Sequence, residues 1–186
     1  MMLAHLDDVK LDWLKFGTML VVSHLYVGGN LQDQAWMMAT LYTLLGFTVY
    51  QLVTRDLVPT QVFGLGGGAL GSDTVKFGTM LIVSRLLSGQ ELDGVWATTV
   101  VVTLVGFALY HLLTARAVQG QNISSDSNIS SAIDDVAMFG TMLVFSQLYL
   151  SGFNVGSLAD SNWQQTTIAV LLGLVVYDMG IARFVQ

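Results

Sequence analysis

Apolar residues in this chain come in long runs that polar residues break at regular intervals. Residues 36–53 are 18 positions without a charge, 95–110 are 16 and 163–177 are 15. A helix that crosses the hydrocarbon core needs about 20 mostly apolar residues, within a range of about 17–25. The first run meets this directly. The other two meet it when flanking polar side chains snorkel to the headgroups or the bilayer thins. Shorter runs lie between them: 16–23 and 77–84 are 8 residues each before His24 and Arg85 interrupt, while the corresponding stretch 136–159 carries no charge. The pattern predicts an all-α integral membrane protein with about six transmembrane helices, near residues 11–29, 34–54, 73–89, 94–115, 133–153 and 161–184.

The ends of these segments carry helix punctuation. Gly28-Gly29-Asn30, Ser88-Gly89 and Ser151-Gly152 suit left-handed C-caps. Ser72-Asp73, Ser130-Ser131 and Asp160-Ser161 offer N-cap oxygens, and Ser161 with Gln164 has capping-box spacing.

The same landmarks recur three times. Phe16-Gly17-Thr18-Met19-Leu20 returns at 77–81 and again at 139–143, spacings of 61 and 62 residues. Each copy is followed by a Ser (Ser23, Ser84, Ser146), a Trp (Trp36, Trp96, Trp163), a Gly (Gly46, Gly106, Gly173), a Tyr (Tyr50, Tyr110, Tyr177) and an Arg (Arg55, Arg116, Arg183). Self-similarity at a fixed period is the mark of a repeat architecture. We therefore read three tandem helical hairpins: residues 1–55, a Gly-rich linker 56–72, residues 73–116, a polar linker 117–132, and residues 133–186, forming one compact membrane domain. The turn of the third hairpin is about five residues longer than that of the second, by its Gly-to-Trp spacing.

Composition sharpens the class. The 186 residues are 53% apolar and 11% charged, with a mean hydropathy of +0.63, against about 25% charged in ordinary soluble domains. A net charge of -6 argues against nucleic acid as a partner. The chain has no Cys, which removes disulfides, thiolate metal sites and a Cys nucleophile. Residues 1–10 show no apolar core of a cleavable signal, so internal segments would direct insertion. If six helices span, Lys10, Lys15, Arg55, Lys76, Arg116 and Arg183 share one face, 6 of the 7 basic residues, and Arg85 alone lies towards the other. Basic residues stay on the cytoplasmic side, which predicts both termini in the cytosol. The sequons at Asn122 and Asn128 would then stay bare.

Candidate sites are few. Gly66-Gly67-Gly68-Ala69-Leu70-Gly71 matches the dinucleotide fingerprint in letters, but no strand precedes it, so Gly64, Gly66, Gly67 and Gly68 read as a linker with candidate partner contacts. His24, Arg85 and Gln147 occupy one position in the three repeats. They could converge on an axis as a polar path, or each could snorkel to the far headgroups. Gly17, Thr18, Gly78, Thr79, Gly140 and Thr141, with Gly46, Gly106 and Gly173, read as a helix-packing set. The Gly-x-x-x-Tyr pairs place each tyrosine hydroxyl at the basic interface in the manner of an aromatic belt, and the Trp residues mark the opposite one. His5, His24 and His111 lie in unrelated settings, Asp178 has no evident partner, and no nucleophile–base–oxyanion set assembles. We expect no enzyme, cofactor, metal or small-molecule substrate.

Residues 75–89, from Val75-Lys76-Phe77-Gly78-Thr79-Met80-Leu81 to Ser88-Gly89, with 104–114, resemble small hydrophobic proteins of the nucleocytoplasmic large DNA viruses. The likeness extends to 15–28 and 44–55 and to the core of the third repeat, where Met138 replaces the Lys. It implies a structural multi-pass protein of the virion, a minor capsid component that joins the inner membrane to the capsid shell, with the lipid bilayer and other capsid proteins as partners. A small transporter or channel with a path along the repeat axis is the alternative.

Overall fold

The structure is a computed structural model and describes residues 4–57, 68–119 and 126–185, without the side chains of Ala4, Arg116 and Gln119. Gly64, Gly66, Gly67 and Asn122 lie outside the described residues. Six long helices make up the fold: α1 (Ala4–Tyr26), α2 (Gln34–Leu57), α3 (Ala69–Leu87), α4 (Gly94–Thr114, continued by Ala115–Gln119), α5 (Ser127–Leu150) and α6 (Ser161–Val185). A short 3-10 turn, Val155–Ala159, occupies the extra length between α5 and α6. Among the described residues there is no strand. Four helices, α2, α4, α5 and α6, are long and apolar enough to cross a membrane. The remaining two carry eight charged residues: Asp7, Asp8, Lys10, Asp12 and Lys15 on α1, and Asp73, Lys76 and Arg85 on α3.

Three helices begin earlier than the hydropathy suggests. α1 starts at Ala4, α3 at Ala69 and α5 at Ser127, inside segments that read as tail or linker. For α5 the reason is an N-cap further upstream: the Asp126 carboxylate accepts the Asn128 N–H at 2.9 Å, and Ser130 and Ser131 fall within the helix. Ser72 and Asp73 likewise lie inside α3 and turn their side chains to other helices. At α6 the cap is Asp160, which accepts from Trp163 N–H at 2.8 Å, so Ser161 is already helical and Gln164 bonds the Leu158 carbonyl instead. The C-cap reading of Gly28, Gly89 and Gly152 matches the backbone, with φ of 81°, 69° and 66°.

The core forms where the Phe-Gly-Thr motifs meet. Phe16, Phe77 and Phe139 are buried, and their ring centroids stand 5.8, 5.7 and 6.2 Å apart in a triangle. Phe47 stacks on Phe16 at 4.1 Å and Phe107 on Phe77 at 4.3 Å, and Leu174 completes the cluster. Three glycines let neighbouring backbones close around it. A Cβ at Gly46 would lie 2.7 Å from Met80 Cα, at Gly106 2.8 Å from Met142 Cα, and at Gly173 2.6 Å from Met19 Cα. Thus α2 packs on α3, α4 on α5 and α6 back on α1, which closes the ring. The motif glycines are placed differently: a Cβ at Gly17 or Gly140 would meet nothing within 4 Å, and one at Gly78 only Leu104 Cδ1 at 3.8 Å.

Candidate functional site

One helical turn before each core phenylalanine stands an aspartate: Asp12, Asp73 and Asp135, each four residues upstream of its Phe. Four residues on a helix return to the same face, so these carboxylates form a layer beneath the aromatic triangle. A second set comes from the even-numbered helices. At Tyr50–Thr54, Tyr110–Thr114 and Tyr177–Ile181 the helix widens into a π turn, closed by N–H groups of Arg55, Ala115 and Ala182 on the tyrosine carbonyls. Such bulges re-aim side chains and recur at functional sites. Here the residue after each tyrosine, Gln51, His111 or Asp178, reaches an aspartate of the layer.

The three sectors share a plan but differ in chemistry. Asp12, 6% exposed, accepts from Gln51 Nε2 at 2.6 Å and from the Lys76 ammonium at 2.5 Å. Lys76 also sits over the Phe16 and Phe47 rings, 5.4 and 5.6 Å from their centroids. Asp135, 5% exposed, is paired with Lys15 and faces the carboxyl group of Asp178. Asp178, 3% exposed, accepts from Ser131 Oγ at 3.2 Å, and its other oxygen is buried with no hydrogen-bond donor among the described residues. Asp73 is bonded to His111 Nε2 at 2.8 Å. In register, Lys76 of α3 serves the aspartate of α1 and Lys15 of α1 serves that of α5. The position that would serve Asp73 is Met138.

The tyrosines point inward rather than towards a lipid belt. Tyr50, Tyr110 and Tyr177 are buried; the Tyr50 hydroxyl lies 3.0 Å from Ser72 Oγ, and Tyr110 donates to Asp134. Around the layer an outer shell of pairs, Arg55 with Asp8 at 2.5 Å, His5 with Asp56 at 3.3 Å and Arg183 with Asp126 at 3.0 Å, ties the helix ends together. An open cavity of about 280 Å³ between α1, α2 and α3 reaches the layer from this end, lined among others by Asp8, Asp12, Gln51, Asp73 and Lys76.

His24, Arg85 and Gln147 lie near the other end, and each binds its own inter-helix turn. His24 Nε2 is 3.0 Å from the Asn30 carbonyl and its ring stacks on Trp36 at 4.4 Å. Arg85 donates to the Glu91 carbonyl at 3.0 Å and lies 3.6 Å from Asp93. Gln147 donates to the Ser157 carbonyl at 3.1 Å. No hydrogen bond joins any of the three to another. Thr141 bonds back to the Ala137 carbonyl at 2.7 Å, the ordinary behaviour of a hydroxyl on an apolar helix.

No protein-family model matches the chain, and neither a curated protein nor a solved structure does. The chemistry must therefore be read from the layer itself. Among the described residues no group of three His, Asp or Glu is arranged to hold a metal ion. What the layer offers is three carboxylates, two of them paired with lysines and the third hydrogen-bonded to a histidine.

The aspartates were readable in advance from the spacing Asp-x-x-x-Phe-Gly-Thr-Met, present in all three copies. Their partners Gln51, His111 and Asp178 were hidden, because the three residue types differ while sharing one position after the tyrosine.

Proposed function

We propose that the chain is a structural multi-pass membrane protein of a virus particle, a minor capsid component that anchors the capsid shell to the inner membrane. In this reading it consists of three tandem helical hairpins, and all six long helices cross the bilayer with both termini in the cytosol. It is not an enzyme; its partners are the lipid bilayer and other capsid proteins.

The observation that carries the structural reading is the aromatic triangle of Phe16, Phe77 and Phe139, which fills the centre of the bundle. A route for charged solutes needs polar groups at successive depths along one axis, and this axis is apolar at that level. The viral setting is supported by the resemblance of residues 75–89 and 104–114. Spanning by α1 and α3 is supported by length, since 23 and 19 residues at about 1.5 Å each extend about 34 and 28 Å. It is supported as well by the fate of their charges: Asp12 and Lys76 neutralise each other inside the bundle rather than facing lipid. Contacts with capsid proteins then fall to the end bearing the termini, through residues 1–10, 55–72 and 116–132.

The test is stepwise detergent extraction of purified particles with antibody detection of the chain. Retention with the inner membrane until the shell itself is released is expected. Reconstituted protein that conducts ions in liposomes, with a conductance altered by substitution of His24 or Arg85, would instead establish the channel or transporter alternative.

A further inference from the structure

We propose that Asp73 and His111 form a proton-binding site, loaded from the end of the bundle that carries the termini, and that its proton supplies the cation missing from the third sector of the buried layer. This goes beyond the anchoring role and does not depend on it.

The argument rests on the inequality of three equivalent positions. Asp12 has Lys76 and Asp135 has Lys15, so two sectors carry a built-in positive charge. The third has Met138 where the lysine would stand, and Asp73 is left with an imidazole. A carboxylate partly withdrawn from water gains from a cationic partner, and at 23% exposure the Asp73 side chain is only partly solvated. Histidine is the one side chain whose ordinary titration falls near neutrality, so it can become that cation by taking a proton. The pair is accessible for such exchange: the Asp73 side chain is 23% exposed and lines the 280 Å³ cavity. His111, 14% exposed, is joined to the cavity through its bond to Asp73. On the far side the phenylalanine triangle closes the axis. A proton therefore enters and leaves through the cavity.

The groups that face the pair are Lys76 on the same helix as Asp73, Lys15 from α1, Tyr110 beside His111 with ring centroids 5.0 Å apart, Asp134 and Asp135 from α5, and, across the cavity, Asp8 and Asp12 from α1 with Tyr50 and Arg55 from α2, of which Arg55 is already bound to Asp8. Both lysines already hold carboxylates, and Asp134 accepts from Tyr110. None of them is an uncommitted cation that would make the proton unnecessary.

The experiment is magnetic resonance of the full chain carrying nitrogen-labelled histidine, reconstituted in bilayers, with His5→Gln and His24→Gln variants to assign the three rings. The readout is the fraction of the His111 ring present as imidazolium across a pH series. Asp73→Asn and, independently, Met138→Lys should each weaken that proton binding about tenfold or more, the first by removing the anion and the second by supplying the absent cation. In sealed vesicles the ring should follow the pH on the side of the termini. A ring that keeps one protonation state throughout the range, one that titrates identically in both variants, or one that follows the opposite compartment would overturn the proposal.

Discussion

Gly46 lies so close against Met80 that a single added carbon would come within 2.7 Å of the Met80 Cα and 2.8 Å of its carbonyl oxygen. Backbone cannot yield as a flexible side chain does, so the two helices would have to part. Gly46→Ala should therefore destabilise the bundle by about 1–3 kcal/mol, the usual cost of overpacking. Gly17→Ala, where a Cβ meets nothing within 4 Å, should be neutral or stabilising by up to about 1 kcal/mol through helix propensity. Reversible unfolding in mixed micelles would compare them. Equal losses in the two variants would show that the motif glycine and the contact glycine are not distinguished as the structure has them.

The aromatic centre gives a second expectation. Phe77 touches Phe16, Phe47 and Phe139 edge-on and stacks on Phe107. Truncation to Ala leaves a cavity among groups that cannot all collapse, a change that costs about 3–5 kcal/mol in soluble cores. The lower end is expected here, because lipid also solvates the apolar groups of separated helices. Phe153→Ala, at a side chain 61% exposed, should cost far less in the same assay.

Burial separates the ion pairs in the same way. Lys15→Met leaves Asp135 beside Asp178 with no cation, and removing one partner of a buried pair typically costs about 3–5 kcal/mol. The additional change Asp135→Asn should recover part of that loss. Lys10, by contrast, pairs with Asp7 where both side chains are more than 70% exposed, and Lys10→Met should stay within about 1 kcal/mol of the parent. A Lys15→Met variant as stable as Lys10→Met would remove the layer from the determinants of the fold.

Much of this arrangement was legible from local chemistry. Uncharged runs located the helices, and Gly28, Gly89 and Gly152 located their ends, because both signals act within a few residues. The contact glycines were visible as a set, yet not their partners, since Gly46 meets Met80 across 34 positions of sequence. Residue type alone places the tyrosines at the interface, and the structure buries them instead, because a buried hydroxyl with a partner such as Ser72 serves as well as a wet one. His24, Arg85 and Gln147 share a sequence position because each closes a turn, a local task that three different donors can perform. The layer is harder to read because Asp73 alone looks like a helix cap, while the informative quantity is the common distance of Asp12, Asp73 and Asp135 from Phe16, Phe77 and Phe139.

The orientation of the chain can be tested without a background, because it contains no cysteine. Leu57 and Phe184 end α2 and α6 at the face with the outer ion pairs, and are 73% and 90% exposed. Val95 and Phe153 lie at the opposite face, 79% and 61% exposed. Single cysteines at these four positions in sealed vesicles should react with an impermeant maleimide in two groups: 57 and 184 from the cytosolic side, 95 and 153 from the other. The basis is the 6-to-1 division of basic residues, which is retained on the cytoplasmic side of a membrane during insertion. Glycans on Asn122 or Asn128 would contradict the orientation. Labelling of 153 and 184 from one side would have a different meaning: the third hairpin would enter and leave by the same face, and the six-span reading would fall even with its helices intact.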